Sequence, residues 1–583
     1  MTAHKDHLEE MPMRLEVEAA TRSGARAGGP GLRWLAEARE LRTMADLLPV
    51  LARRTAGEVV FPELNTSLAH REIPARAYGV AAELRRAGLD DRPDQRVGIL
   101  ATTSPEFVSA LFGVFAANSA AVPVPVPSFA GGLESALERL DALVRGAGLR
   151  CVLVGPPFDE FGDAMCERYP DVAVIRIADC APLPEAPRTA LPGPRDLAVV
   201  QYSSGSTSSP KGAMIEHGAL VASVLGTAER GGVEDGDAAM VWVPLFHDFG
   251  LVTLLTHLVT ASDLHMFSPV TFVRRTAETI RYFADQRIAF FTGPNFAYDR
   301  ILDAAAAGRL DGVDLSSWKA AINAGEPVAA ETLRRFDELL GPLGARPTVM
   351  TPGYGAAEFC VGISLQPAGR VAKLVHVDRA SLRDGARVVT RDGAEAGTVP
   401  VVSQGPAFPG VEFRISDVAG RVLDEGHFGE IEARGPNMLR GYLDDRAATD
   451  AALRDGWFRT RDTGFVLGGE LYVSGRLSDM IVVAGRNFHA HDVEMAVRDV
   501  DGVYQRHVVV VADVARERMV VVAETQADDH TALVAGIRAR IADEVGLADV
   551  DVRLVARGWL PRTSSGKWRR GEVRERLFAD SEV

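Results

Sequence analysis

Residues 202–212 read YSSGSTSSPKG, a run of hydroxyls and small residues that closes on one cation. Glycine lets a backbone approach an anion closely, and hydroxyls and amides can then donate to phosphate oxygens. Lys211 adds a point charge. The run is not a Walker A loop, because its lysine precedes its glycine. It also reads as a solvated Ser/Gly linker, a reading weakened by the strand-like DLAVVQY before it and GAMIEH after it. In YGAAEF (354–359), Glu358 follows a tight glycine turn in apolar surroundings. It is a cation ligand or a helix-start acid favoured by the dipole. In WFRTRDTGF (457–465), Asp462 stands in a turn among aromatics and arginines. It can accept both hydroxyls of a ribose or form a surface pair with Arg459 or Arg461. In PRTSSGKWRR (561–570), Lys567 follows Ser-Ser-Gly. That segment is a solvated basic surface or a loop that delivers an ammonium to a distant site. His247 and Asp248 in PLFHDFG, and His489, His491 and Asp492 in FHAHDVE, lack the further ligands that a zinc site needs. Asp492 reads as an N-cap or first-turn acid before VEMAV.

The elements that must hold these residues alternate. RVGIL, CVLVG, DVAVIRI, MVWVP, IAFFTGP and KAAINAG read as buried strands. SPEFVSALFGVFAANSA reads as a helix, with Ser104 at the N-cap and Pro105 at the first helical position. Strand–helix alternation predicts an α/β architecture with largely parallel sheets. The texture changes near residue 400, where FRISD and GEIEARG predict antiparallel strands. Further on, RHVVVVADVARERMVVVAE predicts two strands around a charged turn, and HTALVAGIRARIADEVG a helix. The expected organisation is a loose extension over 1–40, with SGARAGGPG as a linker, a large multi-lobed domain over 41–477, and a small mobile α+β domain over 478–583.

Composition narrows the function. At 583 residues the chain is too long for one ordinary core. A net charge of −15 argues against a nucleic-acid partner, which needs a basic footprint. Four cysteines without a CxxC pair suggest neither a zinc site nor a disulfide framework and point to a reducing compartment, the cytoplasm. The charged N-terminus lacks the apolar run of a secretory signal, and no stretch is long and apolar enough to predict a membrane span.

Taken in this order, the four segments resemble the superfamily of adenylate-forming enzymes: acyl-CoA synthetases, nonribosomal adenylation domains and luciferases. Through VPLFHDFGLV, FFTGPNFAYDRI, DLSSWKAAINAGEPV and SDMIVVAGRNFHAHDVE the chain is most similar to the fatty acyl-AMP ligases. The resemblance covers nearly all of the chain beyond the extension. It implies ATP-dependent activation of a carboxylic acid, fatty or related, to an acyl-adenylate with release of pyrophosphate. Transfer to the phosphopantetheine thiol of an acyl carrier protein follows. Too few residues remain after Lys567 for a fused carrier, so the carrier is expected as a separate chain. An acyl-CoA synthetase is the alternative. A catalytically silent nucleotide-binding protein is a second, against which Glu358, Asp462 and Lys567 together argue.

The resemblance also implies roles. Ser203, Ser204, Gly205, Ser206 and Thr207, with Lys211, hold the ATP phosphates. Glu358 and Thr207 hold Mg²⁺. Tyr354, next to Gly355, stacks near adenine. Asp462 binds the ribose, and Arg476 lies near it at the domain junction. Lys567 bridges the substrate carboxylate and the α-phosphate. His247 sits beside that carboxylate. Gly293, Asn295 and Phe296 of GPNFAYD, with Ala324 and Gly325, line the acyl pocket. Residues 364–400 look like the insertion that in this family accompanies poor use of free coenzyme A, or form a long surface loop. The chain departs from the pattern in three places. Ser478 stands at the hinge where Asp or Lys is usual. Phe359 and Cys360 replace small residues, which suggests a shorter or reshaped pocket lined by Phe359. The N-terminal lobe (VVFPELNTSLAHREIPARAYG) carries nothing over.

Overall fold

The computed structural model describes residues 33–89, 94–127, 132–187, 191–202, 211–395, 397–483, 486–513, 516, 518–547, 549–562 and 568–578. RVGIL forms the strand Arg96–Leu100, parallel to Ala120–Pro123 on one side and Cys151–Val154 on the other. All residues of these three strands except Arg96 are buried, as expected of parallel strands covered on both faces. The helix Pro105–Ala116 starts with its proline at the first position, where the missing N–H is no loss. Leu197–Tyr202 joins this seven-stranded sheet next to Ala120–Pro123 and is antiparallel to Gly212–Glu216. The Ser/Gly run connects those two strands, and its residues 203–210 lie outside the described residues.

A second, eight-stranded sheet sets Phe290–Gly293, Ala320–Asn323 and Met350–Tyr354 side by side in parallel. Ala324 and Tyr354 therefore meet at the carboxyl ends of neighbouring strands, where open α/β sheets bind ligands. A nine-stranded sheet, antiparallel throughout, contains the hairpin of Trp457–Leu467 and Glu470–Arg476. The expected fold class, α/β with a β-rich lobe, is the one observed. Residues 364–400 are not a bare surface loop. Leu374–Asp378 pairs with both Thr390–Arg391 and Thr398–Pro406, and Val377, Leu382 and Val388 are buried with Phe428, Phe465 and Tyr472. The extension is also shorter than expected at its C-terminal side. Arg33–Ala38 is helical, and the Trp34 indole is 4% exposed and donates to the Val233 carbonyl at 3.0 Å.

After the short turn Leu477–Asp479 the chain forms the hairpin of Met480–Val483 and Arg486–His489, then a three-stranded sheet with its own apolar core. This region holds to the rest of the chain through ion pairs. Arg498 meets Asp299 at 2.8 Å, Arg506 meets Asp303 at 2.9 Å and Arg379 meets Asp492 at 3.0 Å. Arg498 and Asp299 are 13% and 6% exposed, so removing Asp299 leaves the buried guanidinium only its longer, 3.4 Å pair with the half-exposed Asp499.

Four histidines inside the large domain make stability depend on pH. Burial pushes His70 and His257 down to about 3, and His217 and His265 down to about 4. Arg54 also lowers His70. An unfolded imidazole titrates near 6.5. Below that pH the unfolded chain takes up protons that the folded chain refuses, so stability is full above about pH 6.5 and falls toward pH 3–4. Each histidine contributes up to about 1.4 kcal/mol per pH unit in that window. Thermal melts should show Tm falling steadily from pH 6.5 to pH 5. A flat Tm across that range contradicts neutral burial.

Candidate active site

The register of the long hairpin sets Asp462 opposite Arg476. Asp462 is 8% exposed and receives two donors: the Tyr354 hydroxyl at 2.6 Å and the Arg476 Nε at 3.0 Å. The alternative pairing with Arg459 or Arg461 is not made, since both arginines face Glu430. Burial and the Asp462 charge push the Tyr354 phenol well above its ordinary value, so it stays a protonated donor. Three residues expected around the nucleotide, Tyr354, Asp462 and Arg476, thus form one cluster where the strand Met350–Tyr354 ends.

Glu358 sits on the turn Ala357–Phe359 just beyond. Gly355 makes that turn possible, because a Cβ there would lie 1.2 Å from the Val361 carbonyl oxygen. Glu358 Oε1 accepts from the Tyr442 hydroxyl at 2.7 Å, and the Lys211 ammonium stands 5.3 Å from the Tyr442 ring centre. Burial and the Glu358 charge also push the Tyr442 phenol up, which keeps it a donor. Tyr442 therefore links the cation that closes the Ser/Gly run to the carboxylate expected to hold the metal. The sequence reading missed it. Its place comes from pairing with Ala213, more than two hundred residues away, and no local pattern signals that. An oriented carboxylate oxygen is suitable chemistry for a hard divalent cation. Ser203, Ser204, Gly205, Ser206, Thr207 and Lys567 lie outside the described residues.

Tyr354 also borders a small apolar cavity. Phe249, Val252 and Thr253 line it from one face of the helix Asp248–Val259, the spacing that brings side chains together on a helix. Ile322, Ala324 and Gly353 line it from the sheet, and Phe408 and Leu365 also contribute. Ala324, expected in the acyl pocket, is one of these lining residues. Gly325 is adjacent, where an added Cβ would come within 3.9 Å of Phe249. His247 is the N-cap of the lining helix, next to Phe246.

Other expected lining residues face elsewhere. Phe359 is fully buried against Phe458, with ring centres 5.7 Å apart, and is not part of the cavity wall. Asn295 is 4% exposed, and its carbonyl oxygen accepts from Ala329 N at 3.2 Å and Asn323 Nδ2 at 3.1 Å. It braces the core rather than a ligand. Gly293 and Phe296 pack against Trp242, outside the cavity wall.

Residues on both sides of Lys567 are described. Arg562 and Trp568, which flank the undescribed residues 563–567, pair with each other, and the Arg562 guanidinium lies 3.8 Å over the Trp568 ring. Arg562 feels the charge of Glu326, whose carboxylate accepts from Phe296 N at 3.1 Å. Glu326 follows Ala324 and Gly325 directly. Ser478, the expected hinge, lies on the short turn Leu477–Asp479, and its side chain lies outside the described ones.

Residues 50–443 match the family model of AMP-binding enzymes. The chain is 30% identical over 570 residues to the medium-chain-fatty-acid–[acyl-carrier-protein] ligase JamA of Moorena producens (strain JHB), covering 92% of this chain and 95% of that one. It is 31% identical over 561 residues to the long-chain-fatty-acid–AMP ligase FadD32 of Mycolicibacterium smegmatis, covering 85% and 86%. Among solved structures it resembles a chain from a study of fatty acyl-adenylate ligases of E. coli and L. pneumophila. There the TM-score is 0.85 at 28% identity, covering 93% of this chain and 98% of that one.

Proposed function

The chain belongs to the AMP-binding enzyme family, and from that premise we propose that it adenylates an acyl carboxylate with ATP and passes the acyl group to an acyl carrier protein. The observation that carries this reading is the double position of Tyr354. It lines the apolar cavity and donates to Asp462, so the acyl and nucleotide sites share a wall.

The chemistry follows from charge. A carboxylate oxygen bonds to the α-phosphorus while the bond from that phosphorus to pyrophosphate breaks. Both reactants are anions, and at about 4 Å two like charges repel by about 4 kcal/mol at an effective dielectric near 20. Lys567 meets the carboxylate and α-phosphate, His247 borders the carboxylate, and Lys211 with Ser203, Ser204, Gly205, Ser206 and Thr207 donates to the phosphates. Asp462 takes the ribose hydroxyls, with Arg476 beside it. Mg²⁺, held by Glu358 with Thr207, would offset phosphate charge when bound. In the second half-reaction the carrier's thiolate bonds to the acyl carbon, and AMP departs with the electrons of the broken bond. The small domain, 478–583, reorients between the two steps, about a pivot placed at Ser478.

A phosphopantetheine thiol on a carrier, rather than free coenzyme A, is supported by residues 364–400. They pack as a sheet and meet the small domain through Arg379 and Asp492. Among the described residues no helix is long and apolar enough to cross a membrane. The four cysteines are free thiols, which suits the cytoplasm. Incubation with ATP, an acid and either holo-carrier or coenzyme A tests the acceptor. The carrier should be acylated at least about tenfold faster. Equal rates point to an acyl-CoA synthetase, and absence of pyrophosphate release with every acid points to a silent nucleotide-binding protein.

A further inference from the structure

Residues 560–562 and 568–570 flank the segment that contains Lys567, and one carboxylate reaches both flanks. Glu524 lies on the strand Arg518–Thr525, and its side chain is 1% exposed. Its Oε1 accepts from Leu560 N at 2.9 Å, on the upstream flank. Its Oε2 accepts from His507 Nδ1 at 2.7 Å. His507 comes from the neighbouring strand Val503–Asp513, where the register shifts between Val503 and Val508. Its ring stands edge-on to Trp568, on the downstream flank, with centres 5.2 Å apart. Burial alone would raise the Glu524 carboxyl. Hydrogen bonds from His507, Leu560 N and Gly558 N outweigh it, so the carboxyl is lowered and stays ionised at neutral pH. An ionised carboxylate only accepts, which fixes a proton of His507 on Nδ1.

The two flanks are also closed on each other. Arg562 forms an antiparallel bridge with Trp568 and lies 3.8 Å over its ring, and Arg569 N donates to the Pro561 carbonyl at 3.0 Å. Trp568 packs against the apolar cluster that includes Val522, Leu560 and Val573. Packing alone does not call for a charge beneath these flanks. Withdrawing a carboxylate from water is costly, and an apolar side chain on the same strand would avoid that cost. What the carboxylate gains is two strong, directional hydrogen bonds, one to each flank, the second relayed by the His507 ring. Lys567 directly precedes Trp568, so a shift of Trp568 is passed to it across about 3.8 Å of backbone.

We propose that Glu524 and His507 are positioning residues for Lys567, fixing both flanks of its segment and so the place to which its ammonium is delivered. This rests on the adenylating role proposed for Lys567. The test is ATP–pyrophosphate exchange by the full chain, with whichever of hexanoate, octanoate, laurate, palmitate and 3-phenylpropanoate wild type uses fastest. His507→Phe keeps a ring beside Trp568 but cannot donate to Glu524. Its kcat should fall about tenfold or more, while KM for ATP changes less than about twofold. On a Lys567→Ala background the same substitution should change the residual exchange by less than about twofold, because no ammonium is left to misplace. If His507→Phe does not fold, Glu524→Gln is read in the same way. Wild-type kcat in the folded variant, a loss confined to KM, or an equal loss on both backgrounds overturns the proposal and leaves the adenylation reading intact. Loss of the fold in both variants makes the pair structural and also overturns it. Unchanged exchange in Lys567→Ala removes the role on which the proposal rests. Absence of exchange with every acid in wild type overturns the adenylation reading and this proposal with it.

Discussion

With Lys567→Ala, carboxylate-dependent exchange between ATP and pyrophosphate is expected to fall by about 10³-fold, while ATP binding measured by calorimetry stays near the wild-type value. The magnitude comes from the repulsion between carboxylate and α-phosphate, about 4 kcal/mol in a partly dry site, which an ammonium placed between them removes. That charge is needed only as the two anions close, so its loss falls on the rate and not on nucleotide affinity. Arg562 and Trp568, which bracket this segment, pair with each other, and Arg562 senses Glu326 beside the cavity. Exchange at the wild-type rate would remove Lys567 from the chemistry.

Asp462→Asn should act in the opposite way. It retains size but removes the charge that receives Tyr354 at 2.6 Å and Arg476 at 3.0 Å. Hydrogen bonds to a charged group contribute about 1.5–3 kcal/mol, so KM for ATP should rise roughly 10- to 150-fold with a smaller loss in kcat. Tyr354→Phe, which removes one donor and keeps the carboxylate, should raise KM by less than tenfold. An unchanged KM for ATP in Asp462→Asn would place the ribose elsewhere.

These two residues also show what was legible in the sequence. Strands buried on both faces announce themselves as apolar runs, and RVGIL and KAAINAG were read correctly because parallel sheets demand that composition. Asp462 and Arg476 stood out as charges, but their partnership depends on hairpin register, which places Asp462 opposite Arg476 and leaves Arg459 and Arg461 to Glu430. Phe359 was misread through its neighbour. On a tight turn of about three residues, adjacent side chains point roughly 120° apart, so Glu358 reaches Tyr442 while Phe359 enters the core against Phe458. Asn295 looked like a ligand group, yet its amide is committed to Asn323 and Ala329. Tyr442 could not have been found locally, since it is placed by pairing with a distant segment. The charged look of residues 364–400 hid the alternation of LVHVD, which buries Val377.

The central claim is that a carboxylate oxygen attacks the α-phosphorus of ATP, and oxygen-18 in the substrate carboxylate reports on it directly. After one turnover with a holo-carrier as acceptor, mass spectrometry should find a single heavy oxygen in AMP and none in pyrophosphate. Heavy oxygen in inorganic phosphate alongside ADP would mean attack at the γ-phosphorus, and unlabelled AMP would mean that no acyl-adenylate forms; either result contradicts the account.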